Sequence, residues 1–261
     1  MASSPDPGPL SFSRALIRQP GASLFRGISR RGLHPDPFSA QAQHTAYCQA
    51  LCAAGLDVTV LPPDERYPDS CFMQDTALVV RGQVILCRPG APSRQGEEQA
   101  TAAWFEGKMP VARIEPPGTL EGGDVMVLPD RVLVGRSERT NAEGVEQFRA
   151  LLEPLGLPAV SVSVGDSLHL LSDATYLGRG IVLAASTFKG LASVAGLQLI
   201  SVPLAEACAA NVLALGDHVI VPDGFPQTAA RLLAAGFKPL PVPLSEFEKV
   251  DGGATCLSIV W

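Results

Sequence analysis

The sequence predicts an α/β protein in which five ββαβ units form one closed ring. Pairs of apolar segments joined by tight turns recur four times along the chain, which is typical of antiparallel hairpins. Each pair is followed by a stretch of helix-compatible composition and then by another short apolar segment. The repeated unit is therefore strand, strand, helix, strand.

The four hairpins have similar lengths and similar turn chemistry. They cover Thr76–Arg88, Asp124–Arg136, Ala174–Ala185 and Asn211–Asp223. Their turns contain glycine, proline or aspartate, at Arg81-Gly82, Pro129-Asp130, Gly178-Arg179-Gly180 and Gly216-Asp217. The intervening helices are predicted over Arg94–Gly107, Asn141–Leu155, Thr187–Ala195 and Pro226–Ala235.

The fifth unit needs both ends of the chain. The last strand, Ala254–Trp261, completes a hairpin only with the first, Ser13–Arg18, after which the helix Pro37–Ala54 and the strand Leu56–Leu61 follow. Five units of about 50 residues then fill the length, and a closed ring leaves no exposed sheet edge. An open doubly wound sheet is the alternative, but its parallel strands are not joined by two-residue turns.

This arrangement predicts one domain over residues 10–261, preceded by a flexible tail. Residues 1–9 are small, polar and rich in proline, without the basic and apolar regions of a signal peptide. No uninterrupted apolar stretch approaches the roughly 18 residues of a membrane span. The six cysteines are spread along the chain rather than grouped as in a disulfide scaffold. We therefore expect a reduced, cytoplasmic protein, monomeric or homodimeric, without a membrane partner.

The composition argues against a nucleic-acid partner. The formal net charge is −6, the pI is near 5.2 and no run of lysine or arginine stands out, whereas phosphate backbones attract basic patches. Apolar residues make up 46% of the chain and charged residues 18%, which allows a substantial core. The expected partner is a small-molecule substrate.

Cys256 is the cysteine whose surroundings favour chemistry. It lies in GGATCLSIVW, on an apolar strand preceded by two glycines, with Asp251 just upstream where a carboxylate can face a cationic ligand. The alternative is a packing role, since most buried cysteines act as small hydrophobes. Cys48 and Cys52 share a helical face, but no histidine or further cysteine completes a metal site, so we assign them to packing.

His169 is the histidine whose position in the repeat matches that of Cys256. It begins a hairpin region, where the repeat phase points it toward the centre of the ring. Glu121, Asp124 and Asp75 occupy equivalent positions before their own hairpins. Carboxylates pair bidentately with guanidinium groups, so this cluster suits a planar cationic substrate. Turn caps and solvated loop charges are the alternative interpretation.

Six motifs, in order along the chain, resemble those of the dimethylarginine dimethylaminohydrolase family. This family is part of the guanidine-modifying superfamily, which also includes arginine deiminase and amidinotransferases. The motifs are PDSCFMQDTALVV (68–80), CRPGAPSR (87–94), TLEGGDV (119–125), GRSERTN (135–141), LHLLS (168–172) and LSEFEKVDGGATC (244–256). The resemblance spans nearly the whole chain and implies a five-bladed α/β propeller, in agreement with the repeat count.

The resemblance also implies a cysteine-dependent hydrolase that needs no cofactor. Cys256 would be the nucleophile, His169 the proton donor and Glu121 the group that orients the histidine. The thiolate would attack the guanidinium carbon of an N-omega-methylated arginine, and a methylamine would leave with a proton from His169. Water would then hydrolyse the covalent thiouronium to citrulline.

The same resemblance implies how the substrate is held. The expected substrate-binding residues are Leu24, Asp69, Phe72, Gln74, Asp75, Arg88, Arg139, Val250 and Asp251. Of these, Arg88 and Arg139 are assigned to the substrate carboxylate, and Asp69 with the backbone carbonyl of Leu24 to the amino group. Asp75 and Asp251 are assigned to the guanidinium.

Two positions depart from the family pattern. Gln74 stands where the family has glutamate, and Leu171 stands where the family usually has lysine in an LHLKS motif. Losing a carboxylate beside a buried cation weakens the binding of that cation by about 1–3 kcal/mol. The sequence therefore leaves two alternatives open. One is hydrolysis or amidino transfer on a different guanidine, as in arginine deiminase, and the other is a ligand-binding relative without turnover.

Overall fold

Five three-stranded sheets form the framework, in a computed structural model that describes residues 8, 10–191 and 194–261. In each sheet the first strand of the unit pairs antiparallel with the second, and the second pairs parallel with the third. A helix connects the second and third strands in four of the five described units. The predicted five-bladed α/β propeller of ββαβ units is confirmed.

The fifteen strands of the described residues are short, as expected for propeller blades. They are β1 (Arg14–Arg18), β2 (Asp57–Leu61), β3 (Ala77–Val80), β4 (Gln83–Leu86), β5 (Val111–Arg113), β6 (Val125–Val127), β7 (Val132–Arg136), β8 (Ala159–Ser163), β9 (Ala174–Gly178), β10 (Ile181–Ala185), β11 (Gln198–Val202), β12 (Leu213–Leu215), β13 (His218–Pro222), β14 (Lys238–Val242) and β15 (Ser258–Val260). The β3–β4 turn has φ of 47° at Arg81 and 79° at Gly82, the left-handed pair that a two-residue hairpin turn of the right twist requires.

Two of the α-helices in the described residues, the first and the third, begin at a side-chain cap. The helices are α1 (Pro37–Ala53), α2 (Glu98–Phe105), α3 (Ala142–Leu152), α4 (Leu170–Asp173), α5 (Pro226–Ala234) and α6 (Ser245–Glu248). The Asn141 side chain accepts the Gly144 N–H at 2.8 Å and so caps α3. Short 3-10 helices cover Ala22–Arg26, Met73–Thr76, Pro92–Arg94, Gly122–Asp124, Glu153–Leu155 and Leu204–Ala210.

The two ends of the chain share one blade, as predicted. Strand β15 pairs antiparallel with β1, with Leu16 opposite Ile259, and β1 pairs parallel with β2, with Leu16 opposite Thr59. Helix α1 connects β1 to β2 and buries Tyr47 and Leu51 against this blade. The central strand of the closing blade is therefore the N-terminal one, and folding of the ring depends on both ends.

The helix predicted over Thr187–Ala195 is wrong for the residues described there. The backbone makes turns instead, in which the Phe188 N–H donates to the Ala185 carbonyl and the Val194 N–H to the Leu191 carbonyl. An α-helix needs bonds to the carbonyl four residues back. Gly190 lies so close to β8 that a Cβ there would be 2.3 Å from the Ser163 carbonyl oxygen, so the segment follows the sheet surface.

The first strands of the five blades surround the central axis. Apolar side chains from all five, including Leu78, Met126, Tyr176, Leu213 and Ile259, line a cavity along it. The segments that precede these strands consequently meet at one end of the axis. That end is where the predicted polar residues lie.

The sequence also led us to expect no membrane-spanning segment and a flexible tail over residues 1–9. Within the described ranges, no helix has both the length and the apolar character needed to cross a bilayer. The predicted tail over residues 1–9 lies outside the described residues, apart from Gly8, whose carbonyl oxygen accepts the Arg179 N–H at 3.4 Å.

Candidate active site

A pocket at one end of the ring axis is lined by residues from the segments that precede the first strands. It contains about 390 Å³ of empty space, counting the part open to solvent. The lining residues are Ile28, Asp69, Phe72, Asp75, Arg94, Glu121, Arg139, Leu168, His169, Val250, Asp251, Gly252 and Cys256. The predicted site residues are therefore brought together, with the exceptions of Leu24, Gln74 and Arg88. Ile28, Arg94, Leu168 and Gly252 were not predicted.

The Cys256 thiol is nearly buried in this pocket, with the residue 8% exposed. The Gly253 N–H points at Sγ from 3.3 Å, and Thr255 Oγ1 lies 4.0 Å from it. Burial and the charge of Asp75 raise the pKa of the Cys256 thiol to about 11. The free protein therefore holds a protonated thiol at neutral pH, and a positive neighbour is needed to populate the thiolate.

The two glycines before Cys256 are required by packing within the loop. A Cβ on Gly252 would lie 2.2 Å from a ring carbon of Phe72, and a Cβ on Gly253 would lie 2.4 Å from Cγ of Asn211. Asp251, just upstream, has a φ of 58°, a conformation that few residues other than glycine and asparagine or aspartate adopt. The groups that approach Gly252 and Gly253 closely are therefore the side chains of Phe72 and Asn211.

His169 and Glu121 form a buried pair beside the thiol. Nε2 of His169 lies 2.7 Å from Oε2 of Glu121, and Oε1 of Glu121 accepts the Gly90 N–H at 2.9 Å. Gly123 leaves room for the imidazole, because a Cβ there would lie 2.6 Å from Nδ1. The carboxylate therefore fixes the orientation of the ring.

The surroundings of this pair favour its charged form. Burial alone would lower the pKa of His169, but Asp75 and the hydrogen bond to Glu121 raise it above its usual value. Burial alone would raise the pKa of Glu121, but the hydrogen bond and charge of His169 hold it below its usual range. At neutral pH the pair is imidazolium and carboxylate, so His169 carries a proton that it can donate.

Asp75 is fixed by two strong hydrogen bonds. Oδ2 accepts from Nη1 of Arg94 at 2.7 Å, and Oδ1 accepts the Gly123 N–H at 2.9 Å. Arg94 is itself held by Glu97 at 2.8 Å and by the Phe72 carbonyl at 3.2 Å. The guanidinium of Arg94 is buried, with the residue 5% exposed. These contacts present Asp75 to the pocket as a fixed negative charge for a cationic ligand.

Arg88 is a correction to the sequence-based assignment. Its Nη1 donates to the Gly118 carbonyl at 3.1 Å and its Nη2 to Gln95 Oε1 at 3.3 Å, and it does not line the pocket. The short helix Pro92–Arg94 carries Arg94 into the pocket instead. Both arginines belong to the segment RPGAPSR, so the motif indicated an arginine here without indicating which of the two turns inward.

Two groups that the resemblance assigns to the substrate amino group, the Leu24 carbonyl and Asp69, lie close together beside Gly27. A Cβ on Gly27 would lie 3.0 Å from the Leu24 carbonyl oxygen, 3.1 Å from Asp69 Oδ1 and 3.1 Å from a methyl carbon of Val250. The Leu24 carbonyl thus lies next to the pocket although Leu24 does not line it. Asp69 also accepts the Ile28 N–H at 3.0 Å, and burial raises the pKa of its carboxyl group.

Arg139 and Asp251 lie at the more open side of the pocket. Nη1 of Arg139 is 3.9 Å from Oε1 of Glu121, and its side chain is 16% exposed. Asp251 accepts the Arg30 N–H through Oδ2 at 2.7 Å. Arg139 therefore offers a partly free cation, while Asp251 connects the loop before Cys256 to the segment that contains Ile28.

Gln74 lines the axial cavity rather than this pocket. Its Oε1 is buried and has no hydrogen-bond partner among the described residues. Leu171, the other position that departs from the family pattern, lines the same axial cavity. The two departures therefore lie together on the axis, and the structure does not place the Gln74 side chain against the ligand pocket.

Asp75, Glu121 and His169 are close enough together to bind one cation. Their potential ligand atoms all lie within 4.8 Å of one another. Each already has protein partners, since Asp75 binds Arg94 and Glu121 binds His169. The cluster therefore suits a guanidinium group, which adds hydrogen bonds to existing carboxylates without replacing these partners.

The chain matches a family model and named relatives over much of its length. Residues 38–177 match the family model described as N,N dimethylarginine dimethylhydrolase, eukaryotic. The N(G),N(G)-dimethylarginine dimethylaminohydrolase of Pseudomonas aeruginosa is 40% identical over 253 residues, which cover 95% of this chain and 99% of the relative. The enzyme of the same name from Streptomyces coelicolor is 38% identical over 255 residues, covering 94% and 96%.

A solved structure shows the same fold. It is a cysteine-to-serine variant of the Pseudomonas aeruginosa protein complexed with citrulline, and it superimposes with a TM-score of 0.92 at 37% identity. The match covers 97% of this chain and 100% of the solved one. From the family model, the sequence relatives and the shared fold together, it follows that the chain belongs to the dimethylarginine dimethylaminohydrolase family.

Proposed function

We propose that this protein hydrolyses N-omega-methylated arginine, as dimethylarginine or monomethylarginine, to citrulline and a methylamine. The observation that carries the proposal is that Cys256, the His169–Glu121 pair and Asp75 line one pocket. Support comes from the relatives named for dimethylarginine hydrolysis and from the citrulline complex of the Pseudomonas aeruginosa protein.

The charges of the pocket match the charges of such a substrate. Asp75 and Asp251 face the guanidinium, and Asp69 with the Leu24 carbonyl accepts hydrogen bonds from the amino group. Arg139 pairs with the carboxylate, and Arg94, which keeps its bond to Asp75, offers the second N–H of Nη1 in the role expected of Arg88. This distribution fixes both ends of an arginine-like molecule and leaves its guanidinium carbon beside Sγ of Cys256.

The first chemical step breaks the carbon–nitrogen bond. The bound guanidinium adds a positive charge to that of the His169 imidazolium in the same pocket, so the thiol releases its proton to solvent. The thiolate attacks the guanidinium carbon and forms a carbon–sulfur bond. As the bond to the methylated nitrogen breaks, that nitrogen keeps the electron pair and receives a proton from His169, so dimethylamine or methylamine leaves and a thiouronium remains on Cys256.

The second step restores the protein. His169, now neutral, accepts a proton from a water molecule that attacks the carbon of the thiouronium. The carbon–sulfur bond breaks and the electron pair returns to Sγ, while the hydroxyl proton of the adduct passes to the thiolate, so the thiol is restored and neutral citrulline is released. Glu121 remains ionised in both steps and keeps the imidazole in one orientation while its charge changes.

The test is product formation across a substrate panel. Dimethylarginine, monomethylarginine and arginine are incubated with wild-type protein and with Cys256→Ser, and citrulline is measured together with binding by calorimetry. We expect turnover of the methylated substrates by wild type. For Cys256→Ser we expect no turnover but an affinity within about tenfold of wild type, because serine is a poor nucleophile here. Binding without citrulline from wild type would identify a ligand-binding protein, and preference for arginine would identify a deiminase.

We also propose that residues 10–261 act as one domain, because the β1–β15 pairing joins the two ends in one sheet. The sequence supports a cytoplasmic location, a monomer or homodimer, and no nucleic-acid partner. Light scattering coupled to gel filtration measures the mass in solution. A single cooperative unfolding transition is expected, and two separate transitions would argue against one domain.

A further inference from the structure

Asn211 is buried behind the loop that carries the nucleophile. It ends the segment before β12 and is 6% exposed. Its Oδ1 accepts the Thr255 N–H at 2.9 Å, and its Nδ2 donates to Thr255 Oγ1 at 3.0 Å. The same Nδ2 lies 3.9 Å from Sγ of Cys256. The Asn211 side chain, which precedes the fourth blade, therefore contacts Thr255 and Cys256, which precede β15 of the closing blade.

The backbone of Asn211 is fixed from the other side by Thr175 of β9. The Thr175 hydroxyl donates to the Ala210 carbonyl at 2.9 Å and accepts the Val212 N–H at 3.4 Å. Gly253 packs on the amide so closely that a Cβ there would lie 2.4 Å from Cγ of Asn211. The amide therefore has little freedom to turn away from the nucleophile loop.

Asn211 does not line the ligand pocket. It lines a neighbouring cavity on the other side of the loop, together with Gly252 and Gly253. Asn211 therefore reaches the pocket only indirectly, through contacts of its side chain with Gly253, Thr255 and Cys256. This separation distinguishes it from the residues that hold the substrate.

We propose that Asn211 is a positioning residue for the nucleophile, which holds the Thr255–Cys256 backbone through Oδ1 and donates from Nδ2 to the Cys256 thiolate. The proposal rests on the proposed hydrolysis, in which that thiolate attacks the substrate. With the Gly253 N–H, the amide gives Sγ two neutral donors, and such donors stabilise a sulfur anion that burial disfavours.

The charged and titratable groups around Sγ define what the amide must offset. Asp75 opposes the thiolate and Arg94 favours it, while Tyr47 is close enough for its own pKa to be raised by Cys256. His169 and Asp251 line the same pocket. None of these groups is altered by a substitution at Asn211, so a change in thiol titration would report the amide.

The experiment measures the alkylation of Cys256 by iodoacetamide as a function of pH. Peptide mass spectrometry resolves Cys256 from the exposed Cys52 and Cys208. In Asn211→Ala we expect the titration midpoint to rise by about half a unit or more and the alkylation rate at pH 7.5 to fall about threefold to tenfold. For dimethylarginine, kcat should fall about tenfold or more while KM stays within about threefold.

Asn141→Ala is the control, because Asn141 caps α3 and binds Thr119 and Pro117 but does not line the ligand pocket or contact the loop before Cys256. It loses stability through the missing cap but should keep the wild-type alkylation profile. If Asn211→Ala does not fold, Asn211→Ser is measured in the same way, since it is neutral and too short to reach Sγ.

Superimposable alkylation profiles of wild type and the Asn211 variant would overturn the proposal. Equal losses in Asn211→Ala and Asn141→Ala would also overturn it, because instability alone would then explain them. The alkylation measurement needs no turnover. A wild-type protein inactive on methylarginines would therefore refute the proposed function, while the alkylation profiles would still decide the role of Asn211.

Discussion

Replacing Glu121 by glutamine exchanges one carboxylate oxygen for an NH2 group with almost no change of shape. The Gly90 N–H donates to Oε1 of Glu121 at 2.9 Å, so the amide oxygen must keep that position. The NH2 group then faces Nε2 of His169, which lies 2.7 Å from the present carboxylate oxygen. Because an NH2 group only donates, Nε2 must lose its proton to accept this bond. The substitution therefore leaves His169 neutral at neutral pH.

A neutral imidazole in this orientation cannot protonate the departing amine efficiently. We expect kcat for dimethylarginine to fall about 10²-fold to 10³-fold, or about 3–4 kcal/mol, with KM within about fivefold. The assay is citrulline formation at saturating substrate between pH 6 and 9, with the His169 ring followed by NMR. Glu206→Gln is the control, since Glu206 is also a buried carboxylate that binds backbone N–H groups, at Gln227 and Thr228. A kcat within threefold of wild type would refute this account of the His169–Glu121 pair.

Three further outcomes follow from the same contacts. Arg139→Ala should raise KM at least tenfold with little change in kcat, whereas Arg88→Ala should change neither by more than about threefold; equal KM effects would return Arg88 to the carboxylate site. Gln74→Glu should lower the free energy of unfolding by about 1–3 kcal/mol, and with it the Tm, because Oε1 is buried without a partner among the described residues. Adding Leu171→Lys should recover part of this loss. A higher kcat/KM at unchanged Tm would contradict the prediction. The free energy of unfolding should fall as pH rises above about 6.5 toward the raised pKa of His169, and again as pH falls below about 4.3 toward the lowered pKa of Glu121. Chemical denaturation of wild type and Glu121→Gln at several pH values measures this free energy. Identical pH profiles of the two proteins would contradict a stabilising ion pair between His169 and Glu121.

The hairpin repeat was readable because both of its signals are local. A two-residue turn such as Arg81-Gly82 and the apolar segments around it lie within about a dozen residues, so spacing alone reveals the pairing. The closing blade was predicted by counting, since the strand at each end lacked a partner elsewhere. In the third blade, the path of the segment between the second and third strands could not be predicted from local sequence. Its residues 187–191 and 194–195 have helix-compatible composition, but packing of Gly190 against Ser163, distant in sequence, decides their path.

In the site, too, some positions follow from sequence motifs and others only from the folded geometry. Cys256, His169 and Glu121 sit in motifs whose position within each unit is constant, so the ring brings them together. The arginines did not follow this rule. Arg88 and Arg94 share one motif, and only the turn between them, with Asp75 as the buried partner of Arg94, decides which guanidinium enters the pocket. Gln74 is adjacent to Asp75 in sequence, yet their side chains face different cavities.

The sequence by itself determined the number of units, the order of their strands and the joining of the two ends, and its resemblance to the family proposed Cys256 as nucleophile, His169 as acid and Glu121 as the group that orients the histidine. The units depend on periodicity and the proposed roles on motifs, and both are properties of short segments. Only the tertiary structure decided which arginine enters the pocket, which cavity Gln74 lines and that Asn211 contacts Thr255 and Cys256. Those outcomes depend on contacts between residues as far apart as Asn211 and Cys256, whose geometry is set by the packing of neighbouring blades.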